Sequence, residues 1–160
     1  MINRKSKIYI AGHKGLVGSA ILRKLKSKKY CNLVYKTRSQ LDLTNQLDVF
    51  NFLKRNKPDA VIIAAAKVGG IHANNTFKAD FIYDNLTIQS NLIHGSYKAG
   101  VKNLIFLGSS CIYPSNIKKK IKESDLLKSN LEKTNEGYAI AKIAGLKFCS
   151  YLYNEHNKDF

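Results

Sequence analysis

Three glycines at three-residue intervals follow the first apolar run of the chain, and this feature constrains the fold most. Residues 7–11 are rich in β-branched and aromatic side chains, which is typical of a strand. Gly12, Gly15 and Gly18 come next, and a helical spacing of apolar residues begins at Val17. A strand, a tight turn and a helix in this order offer the free amides and positive dipole end of a helix to a pyrophosphate. The alternative is a glycine turn that serves only the fold.

The rest of the chain alternates strand-like and helix-like segments. Strand patterns cover residues 33–37, 60–65 and 103–107, and helical patterns cover residues 47–53, 80–99 and 136–154. This alternation predicts a single α/β domain built on a doubly wound parallel sheet, with helices on both faces. We expect Gly100 to end the second of these helices, and Thr134 or Asn135 to cap the start of the last.

The charge of the chain narrows the choice of partners. It has 160 residues, with 27 Lys and Arg against 11 Asp and Glu, and a formal net charge of +16. Such a charge suits either a nucleic acid or a small ligand rich in phosphate. The basic residues are spread along the chain and form no nucleic-acid motif, so we assign most of them to solvated faces and expect no nucleic-acid partner.

Several other classes are excluded by pattern. No apolar run reaches the roughly 18 to 20 residues of a membrane span, so we expect no membrane association. Cys31, Cys111 and Cys149 lack a CxxC spacing, which argues against a disulfide framework and a zinc site, and no histidine has metal-ligand spacing. From these spacings we expect no metal. Because residues 1–7 lead into a strand pattern and not into a signal peptide, we expect a cytoplasmic protein.

The residue type after the second strand pattern bears on the choice of dinucleotide. NAD-specific sites use an acidic residue about 20 positions beyond the glycines to bind ribose hydroxyls. Here that position is Arg38, with Lys36 nearby and no acidic residue in residues 33–40. A guanidinium binds a 2′-phosphate bidentately, and Lys14 would add a second positive charge. The sequence favours NADP(H), unless Arg38 is only an exposed strand terminus.

A tyrosine and a lysine four residues apart provide a candidate for proton transfer. Tyr138 and Lys142 fall on one face of the last predicted helix. A cationic lysine beside a phenol stabilises the phenolate, so we expect a lowered pKa for Tyr138 that suits a proton donor and acceptor near neutrality. The spacing alone is a weak signal, but it gains weight downstream of a glycine turn for a dinucleotide.

Polar side chains also follow the fourth strand pattern. Ser109, Ser110 and Cys111 come just after residues 103–107, where a hydroxyl can hydrogen-bond a substrate carbonyl and a thiol can exchange a proton. The competing interpretation is that the serines only cap a turn and that Cys111 is an inert small side chain. The sequence alone leaves these two interpretations open.

Together these motifs resemble the extended short-chain dehydrogenase/reductase superfamily and, within it, the GDP-L-fucose synthase family. The resemblance spans nearly all of the chain. Its most specific motifs are AAAKVGGI at residues 64–71 and GSSCIYP at residues 108–114, supported by the segment at residues 10–20 and by the segment at residues 138–145. It implies a Rossmann-type NADP-binding domain over residues 1–160 and a GDP-sugar substrate that undergoes 3,5-epimerisation and then NADPH-dependent reduction at C4.

The resemblance also implies a role for each matching residue. Tyr138 would give a proton to the C4 oxygen, Ser109 would hydrogen-bond that oxygen, Lys142 would hold the nicotinamide ribose and tune Tyr138, and Cys111 would act as acid and base in the epimerisations. The residues that would contact the cofactor are Gly12, His13, Lys14, Gly15, Leu16, Val17, Gly18, Arg38, Leu41, Asp42, Leu43, Leu107, Gly108, Ser109, Ser110 and Lys142. The two long helices would pack against those of a second copy in a homodimer.

Two departures from the family pattern are apparent. Gly137 stands where the family has a proline before the tyrosine, so we expect a looser first turn around Tyr138. Family members also continue into a C-terminal domain that binds the GDP-sugar and supplies a histidine partner for Cys111. We therefore expect the chain to be an N-terminal fragment that binds NADPH weakly and does not turn over the sugar. The remaining alternatives are another nucleotide-sugar epimerase or reductase, and a cofactor-binding protein without activity.

Overall fold

Four parallel strands form the central sheet of the computed structural model, which describes residues 2–160. The elements follow in the order β1 Ile8–Ala11, α1 Leu16–Ser27, β2 Leu33–Val34, α2 Gln46–Asn56, β3 Ala60–Ile63, α3 Ile71–Thr76, α4 Lys78–Lys98, β4 Asn103–Phe106 and α5 Glu136–His156. The strands are ordered β2-β1-β3-β4. Because β2 and β3 lie on opposite sides of β1, the strand order reverses there, and a crevice opens beyond the carboxyl ends of β1 and β3.

Alternate strand residues face opposite sides of the sheet, and helices cover both. Ile8, Ile10 and Ile62 pack against α1, which places Ile21 and Leu25 over one face. On the opposite face, core residues of the strands pack with α2, α4 and α5; this group includes Tyr9, Val61, Ile63, Val49, Leu53, Leu92 and Leu152. The prediction of a doubly wound α/β sheet is confirmed.

The predicted end of α4 agrees with the structure, whereas the predicted cap of α5 does not. Gly100 adopts a φ of +75° directly after the last turn of α4, as expected for a residue that ends a helix. Helix α5 begins after Asn135, but the side chain of Asn135 makes no capping hydrogen bond. The Thr134 hydroxyl donates instead to the Glu132 carboxylate at 3.3 Å. The predicted side-chain cap of α5 is therefore wrong, although the start of the helix is right.

All four strands are shorter than predicted, β2 and β3 by more than one residue, and the short helix α3 was not predicted. β2 pairs with β1 only at Leu33 and Val34, after which the chain turns along the crevice. β3 ends at Ile63, and Ala64 makes one further backbone hydrogen bond to Ala11 before the chain leaves the sheet. Beyond β4, Asp159 forms an isolated parallel bridge with Asn103. Over residues 2–160, no helix combines the length and apolar character that a membrane span requires.

Candidate active site at the carboxyl edge of the sheet

The turn between β1 and α1 is built from backbone contacts that exclude a Cβ. Gly12 has a φ of +84°, and a Cβ there would lie 2.6 Å from the backbone nitrogen of Ala65. A Cβ on Gly18 would run into the Gly12 carbonyl oxygen. Gly15 caps α1 without a side-chain hydrogen bond, and the first turn of α1 has no acidic residue. The positive end of α1 is thus left for an anionic ligand.

A cavity of about 660 Å³ opens in front of this turn. Of the predicted cofactor residues, thirteen line it: Gly12, His13, Lys14, Gly15, Leu16, Val17, Arg38, Leu41, Asp42, Leu43, Leu107, Gly108 and Lys142. Tyr138 lines it as well. Gly18 is buried beneath the turn, and Ser109 and Ser110 are outside the lining, directly after Gly108. The crevice at the strand ends therefore brings most of the predicted residues together.

One end of the cavity is basic. Lys14, Lys36 and Arg38 line it, and the side chain of Arg38 is 85% exposed. The Arg38 Nε lies 4.0 Å from Asp42, whose pKa is lowered mainly by hydrogen bonds from the backbone and hydroxyl of Thr44 and further by Arg38. A cation with such loose pairing is free to rotate toward an incoming phosphate.

His13 completes this end of the cavity as an aromatic group. Its ring packs on Tyr35 with centroids 4.7 Å apart. Burial lowers the pKa of His13, and the positive charge of Lys14 lowers it further. The imidazole is therefore neutral at pH 7, and the positive charge here comes from the lysines and the arginine.

At the other end, Lys142 is anchored from two sides. Only 4% of this residue is exposed, and its Nζ donates a hydrogen bond to the Leu107 carbonyl at 2.8 Å. The same Nζ lies 4.5 Å from the ring centroid of Phe106 and 5.7 Å from that of Tyr138. Burial lowers the pKa of Lys142 to about 8, against a smaller opposing effect of Cys111. An ammonium with so few partners has donor capacity left for a ligand.

Tyr138, Ser109 and Cys111 lie next to this lysine. The Cys111 thiol donates to the Ser109 hydroxyl at 3.1 Å. Burial raises the pKa of Tyr138, Cys111 raises it further, and a hydrogen bond with Ser109 opposes both. The expectation of a lowered pKa for Tyr138 is thus wrong here, because burial and Cys111 outweigh the hydrogen bond with Ser109. A neutral phenol at pH 7 is suited to give a proton rather than to take one.

Gly137 has a packing role that sequence reasoning did not foresee. A Cβ at this position would lie 2.9 Å from the carbonyl oxygen of Lys78, in the first turn of α4. Gly137 is itself within α5, so Tyr138 starts from regular helical backbone. The close approach of α4 opposes the expected loosening of Tyr138, which stays a prediction.

Sequence reasoning missed a set of contacts that shape the loop after β3. The amide of Asn85 accepts a hydrogen bond from the Lys67 backbone nitrogen at 2.8 Å and donates to the Lys67 carbonyl at 2.9 Å. Asp84 pairs with the Lys67 ammonium at 2.7 Å, and both side chains line the cavity. These partners are 17 and 18 residues apart, so no local spacing indicates them.

Comparison with known proteins gives consistent results. The chain is 58% identical over 159 residues to GDP-L-fucose synthase 1 of Arabidopsis thaliana, covering 99% of this chain and 49% of that protein. It is 50% identical over 156 residues to GDP-L-fucose synthase of Escherichia coli (strain K12), covering 98% of this chain and 49% of that protein. The chain thus spans about half the length of the curated relatives it matches.

Solved structures give the same fold. The protein named DdhaC superimposes with a TM-score of 0.97 at 53% identity, covering 99% of this chain and 46% of that one. MlghC, a GDP-mannoheptose C4 reductase from Campylobacter jejuni with NADP bound, superimposes with a TM-score of 0.95 at 43% identity, covering 99% of this chain and 50% of that one. Because the model of the NAD dependent epimerase/dehydratase family also matches residues 8–160, the chain belongs to that family.

Proposed function

We propose that the protein containing this chain makes GDP-L-fucose from GDP-4-keto-6-deoxy-D-mannose, by 3,5-epimerisation and then NADPH-dependent reduction at C4. The observation that carries this proposal is the cluster of Ser109, Cys111, Tyr138 and Lys142 next to a cavity bounded by the β1–α1 turn. Relatives named GDP-L-fucose synthase, 50% to 58% identical, support it. Since the chain spans about half their length, the activity is proposed for the longer protein, and we expect the 160 residues alone not to turn over the sugar.

The residues present fit a phosphorylated dinucleotide. The β1–α1 turn keeps its close backbone contacts because Gly12 and Gly18 lack a Cβ, and the uncapped N-terminus of α1 suits a pyrophosphate. The cavity volume of about 660 Å³ lies within the range of small-molecule sites. The basic end around Arg38 and Lys14 suits the 2′-phosphate of NADP(H). These features support NADP(H) in preference to NAD(H).

In this arrangement each predicted segment meets one part of the cofactor. Residues 12–18 would hold the pyrophosphate, and Arg38 with Lys14 would bind the 2′-phosphate. Residues 41–43 would contact the adenine and residues 107–110 the nicotinamide side, where the Lys142 ammonium would donate to the ribose hydroxyls. NADPH, when bound, supplies the hydride for C4.

The reduction needs a proton for the C4 oxygen, and Tyr138 is the proposed donor. Its raised pKa keeps the phenol protonated at pH 7, so that it carries a proton to give. The Ser109 hydroxyl hydrogen-bonds the same oxygen and stabilises the negative charge that develops there. Partial burial of this end of the cavity strengthens both hydrogen bonds.

The epimerisations need a group that exchanges protons with carbon, and Cys111 is the proposed one. The C4 ketone acidifies C3 and C5, because either carbanion is stabilised as an enolate. Cys111, hydrogen-bonded to Ser109 at 3.1 Å, first gives up its thiol proton to solvent, and its thiolate then removes the proton from one side of the carbon. A histidine in the part of the protein beyond this chain would return a proton from the other side. One site thus serves all three steps.

A second candidate is a C4 reductase that acts on another GDP-sugar without epimerisation. MlghC, named as a GDP-mannoheptose C4 reductase, favours this candidate, because its structure superimposes on the chain with a TM-score of 0.95. Reaction in D₂O separates the two functions. Deuterium at C3 and C5 of the product indicates epimerisation, and its absence indicates reduction alone. NADPH binding without consumption of any keto-sugar would indicate a protein without catalytic activity.

We further propose that the protein is a homodimer that pairs α4 and α5 with their copies in a four-helix bundle. Apolar and aromatic side chains on these helices support this arrangement: Tyr83, Ile140, Tyr151 and Tyr153 are each at least 42% exposed. Sedimentation velocity of the protein measures the oligomeric state directly.

The central test of the proposed reaction is Tyr138→Phe in the protein that contains this chain. We expect kcat for NADPH oxidation with the keto-sugar to fall at least about 100-fold, because the proton donor is lost. NADPH affinity should stay within about threefold, since the ring remains in place. Tyr30→Phe is the matched control, because Tyr30 packs against the core on the α1 face of the sheet and is outside the cavity lining. Unchanged turnover in Tyr138→Phe would reject the assigned donor.

A second test addresses the cofactor with the 160-residue chain. Arg38→Ala should weaken NADPH binding about 10- to 100-fold, because a charge-assisted hydrogen bond to the 2′-phosphate is lost. NADH binding should not change. Arg55→Ala, at the exposed end of α2, removes the same charge elsewhere and should leave both affinities unchanged. Isothermal titration calorimetry measures the six affinities of the unaltered chain and the two variants for NADPH and NADH, and equal effects of Arg38→Ala on the two nucleotides would contradict the assignment.

A further inference from the structure

The Lys142 ammonium is enclosed by one carbonyl and one aromatic face. The Leu107 carbonyl accepts one N–H at 2.8 Å, and the Phe106 ring lies 4.5 Å from Nζ, within the range of a cation–π contact. The Tyr138 ring is farther away, at 5.7 Å. The ring covers one side of the ammonium, and one N–H is bonded to Leu107. The other N–H groups are available to a ligand in the cavity that Lys142 lines.

The Phe106 ring has this position only because Gly145 has no side chain. Gly145 lies in α5, three residues after Lys142. A Cβ there would lie 2.6 Å from Cζ and 2.7 Å from Cε1 of the Phe106 ring, and 3.0 Å from Cδ of Gln89. Separations this short are not tolerated, so any side chain at position 145 would displace the ring from Lys142.

Gln89 holds the helix at the same level. This residue of α4 is 3% exposed, and its Nε2 donates to the Ala141 carbonyl at 2.5 Å. The turn of α5 that carries Lys142 is thus fixed against α4 on one side and against Phe106 of β4 on the other. Two titratable groups lie near the Lys142 ammonium: Cys111, which raises its pKa, and Tyr138, whose ring centroid is 5.7 Å from Nζ. From β4 and α4, the groups that pack here are the uncharged Phe106 and Gln89.

We propose that Phe106 and Gly145 are positioning residues for Lys142: the ring, accommodated by the missing side chain at position 145, holds the ammonium toward the cofactor cavity. The inference rests on the proposed function, because it takes Lys142 to be the residue that binds the nicotinamide ribose. Neither Phe106 nor Gly145 is among the lining of the cavity, so their effect on a ligand would have to pass through Lys142.

The first measurement uses the unaltered 160-residue chain. An ammonium above a ring face places the neighbouring methylene protons in the shielding region of the ring. We expect the ε-methylene signal of Lys142 in the NMR spectrum to lie upfield of the other lysines and to return to their range in Phe106→Leu. A Lys142 signal at the ordinary lysine position in the unaltered chain would overturn the proposal, whatever the variants do.

The second measurement follows Lys142 and NADP⁺ binding in the variants. Phe106→Leu keeps water out but removes the attraction to the cation, so the pKa of Lys142 should fall by about one further unit. The affinity for NADP⁺ at pH 7 should fall about tenfold. Gly145→Ala should also lower the pKa of Lys142 and weaken NADP⁺ binding, even though alanine is the better helix former by about 1 kcal/mol. Phe52→Leu is the control, because Phe52 is half-buried against Tyr9, away from Lys142.

The outcomes separate this inference from the proposed function. If the unaltered chain does not bind NADP⁺, the assignment of the cofactor site to this chain fails, and the NMR signal of Lys142 still tests its position over the ring. If the unaltered chain binds NADP⁺ and Phe106→Leu or Gly145→Ala leaves both the Lys142 titration and the affinity unchanged, the positioning role is rejected. If Phe106→Leu does not fold, Gly145→Ala and the unaltered chain decide the question.

Discussion

At the residue scale, the site depends on ionisable side chains held away from water. Lys142 is 4% exposed, and burial lowers its pKa to about 8. Burial raises the pKa of Tyr138, which also favours the uncharged form, so its phenol stays protonated. The two neighbours therefore differ in charge at pH 7: Lys142 remains mostly a cation, which suits ligand binding, and Tyr138 is a neutral acid, which suits proton donation.

The depressed pKa of Lys142 predicts a characteristic pH dependence of stability. Below pH 8 the amine is protonated in both the folded and unfolded chains, and folding carries the full penalty of burying the charge. Between about pH 8 and the ordinary value of 10.5, only the unfolded chain binds the proton, so this contribution to the free energy of unfolding rises with pH. Relative to Lys142→Met, the unaltered chain should gain about 2 kcal/mol across this window.

Urea denaturation of both proteins from pH 7 to pH 10.5 measures this gain as a difference. The difference removes the effects of other groups, such as Tyr9 and Cys149, whose raised pKa values lower stability at high pH in both proteins alike. Lys54→Met, on the exposed surface of α2, should run parallel to the unaltered chain. A difference between the unaltered chain and Lys142→Met that does not vary with pH would contradict the burial of the ammonium.

At the element scale, the β1–α1 turn brings three backbone segments into contact. Gly12 approaches the backbone of Ala65 after β3, and Gly18 of α1 approaches the carbonyl of Gly12. These contacts join a strand, a helix and a neighbouring loop at the same point. The turn therefore sets the distance between the end of α1 and the sheet, and with it the width of the cavity.

Gly18→Ala tests this close approach. Helix propensity alone would favour alanine by about 1 kcal/mol. The added Cβ would run into the Gly12 carbonyl, so we expect a net loss of about 1 to 3 kcal/mol in the free energy of unfolding, together with loss of NADP⁺ binding. Gly70→Ala is the control, because a Cβ there meets no atom within 4 Å and should change stability by less than about 0.5 kcal/mol. Chemical denaturation that finds Gly18→Ala as stable as the unaltered chain would rule out the close contact.

At the scale of the whole molecule, charge and topology act together. The formal net charge is +16, and the ends of β1, β3 and β4 meet at one edge of the sheet, where the basic residues 14, 36 and 38 line the cavity. A field of this sign attracts phosphate-bearing ligands over distances of about the Debye length, which salt shortens.

The affinity of the chain for NADPH should therefore depend on salt. Raising the NaCl concentration from about 20 mM to about 200 mM should weaken NADPH binding about tenfold. NADH, which lacks the 2′-phosphate charge, should show a smaller change. Fluorescence titration at both concentrations provides the measurement, and equal slopes for the two nucleotides would argue against a basic 2′-phosphate site.

The sequence predicted the parts of the site that depend on neighbours along the chain. The strand, turn and helix around Gly12 follow from local residue types and spacing, and the shared face of Tyr138 and Lys142 follows from the four-residue period of a helix. The parallel sheet and its carboxyl edge follow from the alternation of strands and helices. The family motifs then named the same residues, and the chain belongs to the NAD dependent epimerase/dehydratase family.

Tertiary structure decided what depends on partners that are distant in the chain. The short length of β2 is set by its single neighbour β1, and the loop at Lys67 is held by Asn85, 18 residues away. Lys142 binds the Leu107 carbonyl, 35 residues away, and burial, together with Cys111, raises the pKa of Tyr138 where the spacing alone predicted a fall. The sequence by itself thus determined the four strands and the longer helices, and most of the residues that meet at the strand ends. Side-chain environments needed the packed structure, because burial and charge depend on contacts that local pattern does not encode.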